Sequence, residues 1–357
     1  MIPKIAIIGV GTYGEFHLRA FSEIEREGRA KLVGAADINA DLLAKRHAEY
    51  GVATFLDYRE MIAATDPHAV AIVTPDFLHR EIALFCLRAG RHVLAEKPLD
   101  VTVEGCREMI AAAEENGRLL QVDFHKRWDP YHRELRQMVA RGSLGEVLYG
   151  YAHIENRVEV PRDWFPGWAP RSSPVWFLGV HVYDLIRFIA QSDGLWVSAT
   201  GSKKKLAGLG VDTYDAIQAK LLLKSGASFT IDTAWVLPDA HEAPVNQGIR
   251  VVGTEGMLEL DTQDRGARGC FGRPALMQTL NLGFLQETRD RQGRPRYSGY
   301  GIEAIRDFVG NVSHLLAGGS LQDLAGNYPS GYDGLEATKI AVAVHASVSA
   351  GGAVVPV

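Results

Sequence analysis

The chain has 357 residues, 46% of them hydrophobic and 23% charged, with a formal net charge of −5. That length exceeds what one hydrophobic core ordinarily supports, so two domains are expected, and the acidic balance argues against a nucleic-acid partner. Three scattered cysteines (Cys86, Cys106, Cys270) form no C-x-x-C pair and no ligand spacing with histidine, so reduced thiols, a cytoplasmic location and no metal centre are expected.

The segment Met1-Ile-Pro-Lys4 leads straight into a strand pattern, and no uninterrupted apolar run approaches a membrane span, so neither a leader nor a membrane partner is expected. Residues 4–8 read as a buried strand, followed by the glycine turn Gly9-Val-Gly-Thr-Tyr-Gly14 and a helix over about 15–27. Strand 31–36 ends at Asp37, and helix 41–50 stops at Gly51. Strand 69–73 closes at Thr74-Pro75, helix 79–89 stops at Gly90, strand 93–95 opens into Glu96-Lys97-Pro98, helix 102–116 stops at Gly117, and 118–122 is strand again. Short apolar strands alternating with helices mean βαβ units and a parallel sheet covered on both faces, an α/β Rossmann domain over 1–123.

The remainder, 124–357, reads as an α+β domain. A helix over 130–141 ends at Gly142, and alternating strand patterns follow at 146–156, 195–203, 214–223, 227–236, 248–252 and 257–260. Ser225-Gly226 and Glu255-Gly256 are turn signals, so a large, mostly antiparallel open sheet is expected. Helices at 178–190, 302–316 and 335–349 are expected to cover one face of it. Residues 157–173 carry three prolines with Trp164 and Trp168 and read as a functional loop, whereas 262–299 lacks periodicity.

The glycine turn has the context of a dinucleotide site: a strand before it, a helix after it and an acid ending the second strand. Gly9 permits the tight turn, Gly11 lets the backbone approach a pyrophosphate at the helix N-terminus, and Gly14 allows close helix–strand packing. Asp37, 23 residues past Gly14, suits the ribose hydroxyls and repels the extra phosphate of NADP, so NAD is favoured; an N-cap role for the next helix is compatible. Asp76 and His79 read first as groups starting the helix after Thr74-Pro75. Lys97 ends a buried strand where ligands bind in such sheets, and a desolvated lysine there can do proton chemistry. His181 and Asp184 share one helix face, and a histidine suits proton removal from a hydroxyl.

These pieces, together with Val73-Thr-Pro-Asp76, Leu144-Gly-Glu-Val147 and Asp333-Gly-Leu-Glu336, stand in an order that resembles the glucose-fructose oxidoreductase / inositol dehydrogenase (Gfo/Idh/MocA-like) family over essentially the whole chain. The resemblance implies NAD contacts from Gly9, Gly11, Thr12, Tyr13, Gly14, Asp37, Thr74, Pro75, His79, Glu96 and Lys97. It implies that Lys97 and His181 are the active-site lysine and histidine, with a Lys-Pro bond that is often cis. It also implies a carbohydrate substrate and a homodimer or homotetramer formed through the second-domain sheet. Two departures stand out. Phe177 occupies the position, four residues before His181, where inositol dehydrogenase-like members carry an Asp, and His125-Lys126-Arg127 replaces the usual Asn-Arg-Arg.

The function expected is hydride transfer between nicotinamide and a hydroxyl or carbonyl of a sugar, polyol or related carbohydrate. His181 is the expected base and Lys97 positions the hydroxyl, though the two roles can be reversed. Trp164, Trp168 and Trp176 suit stacking on a sugar face or packing between domains, and Phe177 and Asp184 complete the expected substrate side. His125 and Arg127, with Lys126, suit an acidic sugar. A non-catalytic NAD-binding regulator, favoured by Phe177 and opposed by the retained Lys97 and His181, and an NAD-dependent glycosidase are the alternatives.

Overall fold

Every residue of 5–8 and of 69–72 is buried, and such runs form strands covered on both faces. The computed structural model of the protein describes residues 1–270 and 277–357, so 271–276 of the non-periodic stretch lie outside the described residues. The first elements are β1 (Lys4–Ile8), α1 (Thr12–Arg26), β2 (Lys31–Ala36), α2 (Ala40–Tyr50), β3 (Thr54–Phe55), α3 (Tyr58–Thr65), β4 (Ala69–Ile72), α4 (His79–Arg88), β5 (His92–Ala95), α5 (Val103–Glu115) and β6 (Leu120–Val122). Then come α6 (Pro130–Ala140), β7 (Val147–Arg157), α7 (Val180–Ala190), β8 (Gly194–Ser202), α8 (Lys205–Gly208), β9 (Ala216–Leu223), β10 (Ser228–Leu237), β11 (Val245–Gly253) and β12 (Met257–Asp261). The remaining elements are β13 (Arg268–Cys270), β14 (Met277–Thr279), β15 (Gln286–Arg289), β16 (Pro295–Ser298), α9 (Tyr300–Leu316), α10 (Leu321–Leu324), α11 (Gly331–Ser349) and β17 (Val355–Pro356).

The chain divides into two compact units, Met1–Trp128 with Phe284–Leu335, and Asp129–Gly283 with Glu336–Val357. In the first, six parallel strands run in the order β3-β2-β1-β4-β5-β6, which puts a topological switch point between β1 and β4. β3 and α3 are additions to the pattern read from the sequence. Two residues are too few to show a period, and α3 is recognisable mainly by its cap, Asp57, which accepts from the Arg59 N–H.

A contiguous second half after Asp123 is not what the contacts give. α9 was expected over the second sheet. Instead Ile302, Ile305, Phe308, Val309 and Val312 form its buried stripe and join Leu18, Phe21 and Ile24 of α1 in one cluster. The amphipathic pattern specifies a buried face, and the partner that covers it lies far away in sequence.

The second unit holds a seven-stranded sheet, β12-β11-β7-β10-β9-β8-β17. β7 and β10 are parallel and every other pair is antiparallel. Its strands alternate. Ala152 and Ile154 of β7 are buried, whereas Tyr149 and Tyr151 are 50% and 40% exposed. α7 lies against β7. The proline-rich stretch before α7 is not plain loop: it holds a π-helical turn at Val160–Trp164 and a 3₁₀ turn at Ala169–Arg171.

Candidate active site

The turn between β1 and α1 depends on missing side chains. Gly9 has φ +90°, and a Cβ there would lie 2.3 Å from the Val73 carbonyl oxygen. A Cβ on Gly14 would lie 2.2 Å from the Gly9 carbonyl oxygen, whereas one on Gly11 would meet nothing within 4 Å. Gly11 begins α1 with no side chain capping it, so the positive end of the helix opens on empty space beside Thr12 and Tyr13.

Asp37 follows β2. Its Oδ2 accepts from the Val10 N–H at 2.9 Å and its Oδ1 from the Asn39 N–H at 3.0 Å. Asn39, not Asp37, caps α2, through the Leu42 N–H. The carboxylate is therefore oriented by the glycine turn and spared from helix capping. Thr74, just after β4 on the other side of β1, has a buried Oγ1 with no hydrogen-bond partner among the described residues. An uncapped helix start, open space at Gly11, an oriented carboxylate and an orphan hydroxyl fit a dinucleotide.

Lys97 and Pro98 are joined by a cis peptide at the end of β5. His79 is buried, with Nδ1 2.8 Å from the Pro98 carbonyl and Nε2 2.9 Å from the Thr74 carbonyl. Both ring nitrogens are thus spent on joining the turns after β4 and β5. His79 therefore holds those turns together at the strand ends where a cofactor contact is expected.

Burial holds the Lys97 ammonium below its ordinary range, against the pull of Glu96, Asp76 and Asp123. Glu96 is buried and pushed up to about 7, first by burial, with Lys97 drawing it down. Its Oε1 lies 2.8 Å from His17 Nε2. His17 and Asp123 were missed in the sequence. The signal for His17 was its place among Phe16, Leu18, Ala20 and Phe21, all buried. Asp123 follows a strand as an ordinary turn acid would.

His125 and Arg127 are both engaged within the first unit. His125 is buried in the first unit, with Nδ1 3.4 Å from the Tyr13 hydroxyl and its ring packed on Phe284 and Tyr300. Arg127 pairs with Asp333 at 2.7 Å. Neither presents an unengaged cation, because aromatic packing and an ion pair within the unit occupy them.

In the second unit, His181 and Asp184 are both buried on α7. A π-helical turn, Val175–Gly179, precedes α7 and carries Phe177. Phe177 packs with Phe165, Trp168 and Trp235 at centroid separations of 5.3–5.9 Å. Trp176 turns the other way and stacks on His345 at 5.2 Å, and Trp164 is exposed. Of the three tryptophans singled out in the sequence, only Trp168 therefore joins Phe177.

Comparison with known proteins agrees with this anatomy. Residues 3–124 match the model of the oxidoreductase family with an NAD-binding Rossmann fold, and residues 132–259 match the GFO/IDH/MocA C-terminal domain. Inositol 2-dehydrogenase 3 of Saccharopolyspora erythraea is 25% identical over 359 aligned positions, covering 100% of this chain and 96% of that protein. The 1,5-anhydro-D-fructose reductase of Ensifer adhaerens is 32% identical over 204, covering 56% of this chain and 58% of that one. The fold is that of scyllo-inositol dehydrogenase from Lactobacillus casei, solved with bound NAD(H) and scyllo-inositol, with a TM-score of 0.76, 20% identity and coverage of 100% and 99%. The chain belongs to the Gfo/Idh/MocA oxidoreductase family, and its first unit is an NAD-binding Rossmann domain.

Proposed function

We propose that the protein is an NAD-dependent dehydrogenase or reductase acting on a hydroxyl or carbonyl of a sugar, polyol or related carbohydrate. The observation that carries this reading is Lys97, a partly buried amine at the carboxyl end of β5 in a sheet whose switch point lies between β1 and β4. The names of the relatives, inositol dehydrogenases and an anhydrofructose reductase, support the substrate class. Neither the regulator nor the glycosidase alternative is favoured.

NAD supplies the hydride acceptor, and NADH the donor in the reverse direction. Gly9, Gly11, Thr12, Tyr13 and Gly14 would hold its phosphates and Asp37 its ribose, with Thr74, Pro75, Glu96 and Lys97 at the strand ends beside it. Lys97 donates a hydrogen bond to the reacting oxygen, and His181 takes or returns the hydroxyl proton at an imidazole nitrogen. Phe177 and Trp168 offer an apolar wall to a sugar face.

The exposed tyrosines of β7 support assembly of copies through the open sheet face as a dimer or tetramer. Among the described residues no helix is long and apolar enough to cross a membrane. All three cysteines are free, which supports a cytoplasmic setting.

Lys97→Met is expected to lower turnover by about 10²–10⁴-fold while leaving NAD affinity within a few-fold. Turnover is followed at the NADH absorbance over a panel of sugars and polyols. Unchanged turnover in the variant, or no NADH formed or consumed by the wild type with any member of the panel, would overturn the reading.

A further inference from the structure

Three buried polar side chains of the first unit form one cluster. His17 comes from α1, Glu96 follows β5 and Asp123 follows β6, and they are 0%, 5% and 1% exposed. His17 Nε2 lies 2.8 Å from Glu96 Oε1 and 3.5 Å from Asp123 Oδ2. The Lys97 backbone N–H donates to Glu96 Oε2 at 3.3 Å. Glu96 thus accepts from the Lys97 N–H, and from His17 in the tautomer that carries the proton on Nε2. Among the described residues no N–H donates to either oxygen of Asp123. One oxygen of Asp123, one of Glu96 and a ring nitrogen of His17 all lie within 4.8 Å of one another.

Two carboxyls buried this close together cannot both ionise without strong repulsion, and one proton on the pair removes that repulsion and lets one member donate to the other. The proton belongs on the member that receives no other donor. His17 does not supply a compensating charge, because burial drives its ring down to about 4 and leaves it neutral near pH 7. Burial likewise pushes Asp123 well above the ordinary carboxyl range, and the Glu96 charge pushes it further.

The groups facing the pair are Tyr13 and His17 from α1 and Lys97 from the turn after β5. Asp76, after β4, acts on Lys97, and His125 and Tyr300 act on Tyr13. Lys97 is the ammonium within this described group.

We propose that Asp123 is a neutral carboxylic acid donating to the Glu96 carboxylate, which His17 holds in place, and that the single remaining negative charge positions the Lys97 ammonium. The last clause rests on the reading of Lys97 given above. Asp123 and His17 are positioning residues, since they act through Glu96.

The pH dependence of amine labelling at Lys97, read by peptide mass spectrometry on the whole protein, needs no turnover. Asp123→Asn keeps a donor to Glu96 and the same net charge, so the Lys97 midpoint is expected to stay within about 0.3 pH units of wild type. Combining it with Glu96→Gln removes the charge, and the midpoint is expected to fall by about one unit or more. The infrared spectrum of the wild type is expected to show a buried protonated carboxyl that Asp123→Asn removes.

A lowered midpoint in Asp123→Asn alone means that both carboxyls were ionised, and overturns the proposal. So does an unchanged midpoint in the double variant, an absent carboxyl band, or a stoichiometric metal ion in the purified protein. If the double variant does not fold, the single variant and the infrared band still decide. An inactive protein with the expected labelling and band defeats the enzyme reading and leaves the Asp123 assignment standing.

Discussion

A methyl group at Gly14 would sit 2.2 Å from the Gly9 carbonyl oxygen, which is backbone and cannot swing aside. Gly14→Ala is therefore expected to cost roughly 1–3 kcal/mol in urea unfolding and to lower NAD affinity about tenfold or more in calorimetry. Asp37 is a different case, because its two oxygens serve the Val10 and Asn39 N–H groups as well as any ribose. Asp37→Ser is expected to raise the KM for NAD about tenfold and to shift the NADP:NAD preference toward NADP, measured as a ratio of kcat/KM values. Both residues stand out in the sequence as candidates because the roles proposed for them are local: a glycine turn of fixed spacing and an acid at a strand end. His17 and Asp123 were not. A histidine on a core face and an acid after a strand acquire meaning only when β5 and β6 bring Glu96 between them.

β5 shows how a strand sets protonation. His92 opens it, and its Nδ1 accepts from the Leu119 N–H at 3.0 Å, which requires an unprotonated nitrogen. Burial first, then Arg118 and His68, drive the ring from 6.5 down to about 4. With the folded value below the unfolded one, the unfolded chain takes up the proton first on acidification. This contribution to stability is complete above the unfolded value and is lost as pH falls from there toward the folded one, by about 2–3 kcal/mol in all. Glu96, at the other end of β5, works in the opposite sense. Raised from 4.5 to about 7, it takes up a second proton on the Glu96–Asp123 pair below that value, one the unfolded chain has lost, so stability falls as pH rises through that window to the singly protonated pair. His92→Gln is expected to leave a shallower loss of stability between pH 7 and 4 than wild type, checked by urea unfolding across that range. An equal or steeper loss sinks the assignment. The strand itself was clear from its apolar run, whereas the titration of its ends depends on what β4, β6 and α1 bury against it.

The open face of the second sheet bears Tyr149 and Tyr151, both well exposed on β7. Such a face on a β-sheet is expected to meet a second copy. Light scattering is expected to give a dimer or tetramer for the wild type and a smaller species for the double change Tyr149→Glu, Tyr151→Glu; a wild type that is monomeric at micromolar concentration removes the proposal. The unit division follows the same logic of partners. α9 displays an apolar stripe that any reading of residues 302–316 detects, yet it packs on α1, nearly three hundred residues earlier. The amino-acid order alone was enough for the parallel and antiparallel patterns and the family, and it singled out the glycine turn, Asp37 and Lys97 as candidates, because each depends on periodicity or on neighbours within a few residues. It was not enough for the return of Phe284–Leu335 to the first unit, the engagement of His79, His125 and Arg127, the packing of Phe177 with Trp168 and Trp235, or the carboxyl pair. Those depend on which surfaces lie against one another, and burial and charge pairing are properties of that arrangement, not of spacing along the chain.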